Sequence, residues 1–121
     1  MAGKDHRELI VWQKAMQLTI DVYNLIRQLP LEEKYALSDQ MRRSALSIPS
    51  NIAEGNARES TRDTNHFLYI AQGSRAELET QLELCLRIGY LSESQIKEPL
   101  DLSNEVGRML AGLIKSLKSN L

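Results

Sequence analysis

Apolar residues in this chain recur three and four positions apart through four long stretches and nowhere settle into the strict alternation of a half-buried strand. A helix with such a stripe has to bury it against another helix, so the pattern confines the fold to packed helices. The first stretch, about 7–29, carries two adjacent seams. Val11, Ala15, Leu18, Val22, Leu25 and Leu29 form one, and Trp12, Met16, Thr19, Tyr23 and Ile26 repeat its rhythm one residue later. Two seams make the broad stripe of a bundle helix. Periodicity does not say which seam faces the core and which faces a neighbouring subunit. Pro30 closes the stretch, because proline disfavours helical geometry in the residue before it.

A second helix is predicted over about 38–59, with Ser38 as its N-cap and Asp39 at its positive start. Leu37, Met41, Ala45, Ile48 and Ile52 hold a helical spacing straight through SIPSN (47–51), although Pro49, Ser50, Asn51, Gly55 and Asn56 belong to the residue types that usually mark a turn. The third helix, about 62–88, has Leu68, Ala71, Leu78, Leu82 and Cys85 as its stripe and Ser60 or Thr61 as its cap. Gly73 and Ser74 weaken it at mid-length, by about 1 kcal/mol for the glycine, which makes sense if another helix approaches closely there. Gly89 is placed to end it. The fourth, about 93–118, opens on a capping box, Ser92 with Gln95, flanked by the staple pair Leu91 and Ile96. Pro99 near its second turn should distort it slightly, and the tail KSLKSNL (115–121) is expected to fray. Four amphipathic helices with short connections make an all-α, up-and-down four-helix bundle, one domain over 1–121.

The chain is 42% hydrophobic and 26% charged, the balance of a globular protein rather than a disordered one. Its net charge of −1 gives no support to binding nucleic acid through overall basicity, but leaves a local basic patch open. The single Cys85 cannot form an internal disulfide, and no apolar run resembles a signal peptide or a membrane span. A cytoplasmic protein without membrane contact is expected.

Catalysis needs a constellation of groups, and little here can build one. Neither His6 nor His66 has a glutamate three residues before it, as an inward-facing bundle metal site would want. Cys85 falls in an apolar stripe. Ser44, Ser47 and Ser50 share a helix face, but no lysine or histidine nearby can activate them. No metal, cofactor, small-molecule substrate or enzymatic activity is expected. Arginine is the more telling charge: Arg42, Arg43, Arg58, Arg62 and Arg75 all lie in the second and third helices. They read either as a phosphate- or partner-facing patch or as a solvated face laced with weak ion pairs.

LSDQMRRSALSIPSNIAEGNARES (37–60) followed by FLYIAQGSRAELETQLELCLRIGYL (67–91) strongly resembles the four-helix-bundle proteins encoded in 23S rRNA intervening sequences, and Trp12 in LIVWQKAMQL fits the first-helix pattern of that family. The resemblance spans about 9–117. It implies a cyclic homo-oligomer, typically a pentameric ring, and an association with ribosomal RNA suggested by gene location. The accessory variability protein of diversity-generating retroelements, a more distant likeness, works through a strongly basic surface, from which a chain at −1 departs. Taken with the resemblance, SIPSNIAEG reads as part of the second helix with Pro49 inside it. Pro49 frees the Ala45 carbonyl, which Ser47, Ser50 or Asn51 could satisfy, and should kink the axis. Trp12, Pro49, Ser50, Asn51, Ala53, Glu54, Gly55, Gly73 and Ser74 are then packing and assembly residues, a local functional role for Asn51 and Glu54 being the alternative. The function expected is a non-enzymatic oligomeric adaptor in RNA biology. Its contacts would be Arg42, Arg43, Arg58 and Arg62, and its partner ribosomal RNA or an RNA-bound protein. The alternative is a protein–protein scaffold that never touches nucleic acid.

Overall fold

The computed structural model describes residues 4–119. Four helices, α1 (Ile10–Ile26), α2 (Leu37–Asn56), α3 (Thr61–Arg87) and α4 (Glu93–Lys118), account for most of it, with single 3-10 turns at His6–Glu8 and Leu31–Glu33. Each helix packs on two others, α1 on α2 and α4, α3 on α2 and α4, while the diagonal pairs do not meet; the α2–α3 contact is the most extensive. This is the up-and-down bundle that the periodicity predicts.

The first seam of α1 faces the core: Val11, Ala15, Leu18, Val22 and Leu25 are buried in one cluster with Met41, Ile48, Ile52, Leu68, Leu78, Leu82 and Leu110. The second seam lies at its flank, with Trp12 half-buried and Tyr23 exposed. The helix begins at Ile10 rather than 7, because Asp5 caps a separate 3-10 turn by accepting a hydrogen bond from the Arg7 amide. That turn sets His6 edge-on against Trp12, ring centres 5.1 Å apart.

Three of the marked helix ends follow the expected chemistry; α1 stops at Ile26 and α2 at Asn56, each three residues short of the predicted end, and one predicted cap fails. The Ser60 hydroxyl accepts from the Asp63 amide, the capping box of Ser92 and Gln95 is complete, and Gly89 takes a left-handed φ of 86°. There the Tyr90 amide reaches back to the Cys85 carbonyl and the Gly89 amide to that of Leu86, the paired bonds that close a helix C-terminus. Ser38 is the cap that fails. It is buried inside α2, whose first turn begins a residue earlier, at Leu37, after Ala36. The tail expected to fray is helical through Lys118; its last two residues lie outside the described residues.

Pro49 sits buried in an unbroken α2, as expected, but the freed Ala45 carbonyl is satisfied from another helix. The buried Thr19 hydroxyl of α1 lies 2.8 Å from the Ala15 carbonyl and 3.1 Å from that of Ala45, shared between the two. Ser47, Ser50 and Asn51 cannot serve because none is turned toward that carbonyl. Ser47 and Asn51 bond elsewhere and Ser50 is exposed.

Candidate nucleic-acid contact surface

The four arginines singled out in the sequence do not form one patch. Arg42 and Arg43 lie in the first third of α2; Arg58 and Arg62 lie beyond its other end, around the turn into α3. At 1.5 Å per residue, Arg43 and Arg58 stand roughly 22 Å apart along the bundle. Arg43 is paired with Asp39 at 3.0 Å, and Arg58 is paired with Glu54 while lying 4.9 Å over the Phe67 ring. Arg42 donates to the Lys34 carbonyl at 3.1 Å. Arg62 alone is exposed with no ion pair among the described residues.

The residues of the SIPSNIAEG stretch divide between two faces. Toward α3 lies a polar seam: Asn51 Nδ2 donates to the Ser47 carbonyl (2.8 Å) and lies 2.9 Å from its hydroxyl, Ser47 and Ser74 hydroxyls meet at 2.7 Å, and Gln81 donates to Ser44 at 3.1 Å. Gly55 belongs here too. A Cβ on it would meet the Thr64 carbonyl at 3.1 Å and Phe67 Cβ at 3.2 Å, so its bareness lets α2 and α3 converge. Away from that seam, Ser50 is exposed and Ala53 half-buried. Gly73 is exposed as well, with nothing within 4 Å of where its Cβ would be. The close helix approach expected at Gly73 therefore does not occur within the chain.

What the sequence reading missed lies between α3 and α4. Arg75, with its side chain 19% exposed, crosses to α4 and occupies the space a side chain at Gly107 would take: a Cβ there would fall 2.4 Å from the guanidinium carbon. Its Nη1 bonds Glu79 at 2.6 Å and the Ser103 hydroxyl at 3.4 Å, its Nε bonds Gln72 at 2.9 Å, and Gln72 in turn donates to the Gly107 carbonyl at 2.8 Å. Beside this network opens a groove of about 530 Å³ lined by Tyr69, Gln72, Arg75, Ile114, Lys115 and Lys118. Tyr69 is half exposed, and the Lys118 ammonium stands 5.2 Å from its ring centre. Residues 115 and 118 escaped notice because they fall in the tail expected to fray. Arg75 was visible only as one arginine among five.

Cys85 is fully buried, its thiol 3.7 Å from the Met41 sulfur, and burial, with a lesser push from the Glu33 charge, holds its pKa up at about 11. A thiol so placed stays protonated and behaves as a core residue.

Residues 7–112 match the family model described as 23S rRNA-intervening sequence protein. The chain belongs to this family. Its fold is shared with a crystal structure of a protein with unknown function from the S23 ribosomal protein family of Bacteroides thetaiotaomicron, at 32% identity and a TM-score of 0.82, over 88% of this chain and 99% of that one. No match was found among curated proteins. Lys115 and Lys118 lie beyond residue 112, outside the matched stretch. No helix among the described residues is long and apolar enough to cross a membrane.

Proposed function

We propose that this protein is a non-enzymatic helical adaptor that assembles as a homo-oligomer, a pentameric ring by family likeness, and associates with ribosomal RNA. The observation that carries the reading is a set of large apolar residues left exposed on three of the four helices. Exposed large apolar residues sit on α1 (Ile10, Ile20, Tyr23), on α2 (Leu46) and along α3 (Tyr69, Ile70, Leu84), whereas α4 contributes none. Large apolar side chains left open to solvent on these helices support contact with a partner chain. Ser50, Ala53 and Gly73 add small residues on these same helices, where a second backbone can come close. The ribosomal part of the reading is supported by the family description.

Light scattering is expected to report several times the 13.8 kDa of one chain at micromolar concentration. Ile70→Glu should shift the protein toward monomer without unfolding it, since Ile70 is 38% exposed. A wild-type monomer at that concentration would refute the assembly. Binding to 23S rRNA fragments should weaken as salt rises; no binding even at low salt would refute the RNA association. The second reading, a scaffold for protein partners alone, is favoured by the separation of the four arginines and the pairing of Arg43 and Arg58 with carboxylates. A pull-down that recovers a protein partner equally after nuclease treatment would decide for it.

A further inference from the structure

We propose that the α3–α4 groove is where the protein holds RNA, and that it takes a single-stranded segment with one base stacked on Tyr69 and the flanking phosphates on Lys115 and Lys118. This rests on the RNA association proposed above and specifies its surface. Single strands are held by an aromatic platform set among cations, because every base has a π-face and every linkage a phosphate. The groove supplies both parts. Tyr69 is 49% exposed, and Lys115 and Lys118 line the same groove one turn apart on α4. Neither lysine has a carboxylate partner among the described residues, and the Lys118 ammonium donates to the Tyr69 hydroxyl at 2.5 Å. At the groove wall, Arg75 is fixed by Glu79 and Gln72 through Nη1 and Nε, while its Nη2 makes no hydrogen bond to protein among the described residues. A space of about 530 Å³ is within the range that holds a small ligand, hence a nucleotide unit.

The test is fluorescence anisotropy with a labelled single-stranded oligoribonucleotide and a duplex RNA of equal length, across a salt series, on the full chain. Wild type is expected to prefer the single strand. Tyr69→Ala should weaken it about 5- to 150-fold, the range for one lost base–aromatic stack, while Tyr69→Phe keeps the ring and stays within about threefold of wild type. Lys115→Ala with Lys118→Ala should lower the salt slope by about 1.4, two phosphates' worth on a single strand. All these positions are on the surface, and thermal unfolding confirms that each variant is folded. If wild type binds and the groove variants bind equally well, while Arg42→Ala with Arg43→Ala does not, the groove is the wrong surface and the RNA association stands. Equal affinity for the duplex, or indifference to Tyr69→Ala, overturns the stacked single strand. Failure of wild type to bind any RNA at low salt overturns both.

Discussion

Thr19→Val is expected to destabilise the bundle by about 1–3 kcal/mol, the cost of leaving a buried carbonyl without a donor. The isosteric change keeps the volume and removes the hydroxyl shared by the Ala15 and Ala45 carbonyls. Ala15 loses little, since its carbonyl keeps the amide bond of the helix. Ala45 loses its only remaining donor, because the residue four positions on is Pro49, which has no N–H. The same substitution made in a Pro49→Ala background should therefore cost much less, about 1 kcal/mol or under, since residue 49 then supplies the missing amide. Denaturant unfolding of the four proteins gives this coupling directly, and packing losses specific to Pro49 cancel in the cycle. Equal cost of Thr19→Val in both backgrounds would show that Thr19 does not serve the proline.

That pairing also shows how far the sequence could be read. Helix periodicity placed all four elements, and Ser60, Gly89 and the Ser92–Gln95 box fixed boundaries, because each acts on atoms within about four residues of itself. The partner of Pro49 is 30 positions away on another helix, so a search confined to Ser47, Ser50 and Asn51 could not reach it. Ser38 misled for a related reason: it has the chemistry of a cap, but the apolar side of α2 turns it inward. The two α1 seams could be told apart only once α2 and α4 were in place.

The site was less legible than the fold. Counting arginines along α2 and α3 put Arg42 and Arg62 in one group, although most of α2 lies between them. Antiparallel packing instead brings the end of α4 beside the start of α3, so Lys115 and Lys118 meet Tyr69 from 46 or more positions away. Gly107 carried no sequence signal at all. Its role exists only because the Arg75 guanidinium arrives there.

Cys85 gives the second large effect, through pH. Burial first, and the Glu33 charge second, raise its thiol from the ordinary 9.0 to about 11. The unfolded chain gives up the proton near 9 and the folded chain keeps it to about 11, so between those values the unfolded state binds fewer protons. Stability is then full below pH 9 and falls as pH rises through the window, by about 3 kcal/mol for a shift of this size. Tyr90, which donates to Glu33 at 2.8 Å and is pushed upward chiefly by that bond, adds a slope of the same sign. Cys85→Ala separates the two, because it removes the thiol and leaves Tyr90 in place. At pH 8 the variant should be the less stable protein, having lost a buried sulfur that touches Met41. Toward pH 11 the difference should shrink and then reverse, as wild type alone is drawn toward an ionised unfolded chain. Unfolding curves for both proteins at half-unit steps from pH 8 to 11 measure this, and parallel loss of stability would show that the thiol does not titrate as its burial requires. The same burial separates Cys85 from any chemistry at the surface: a thiol that ionises only when the bundle opens reports on the core, and leaves recognition to the exposed faces of the helices around it.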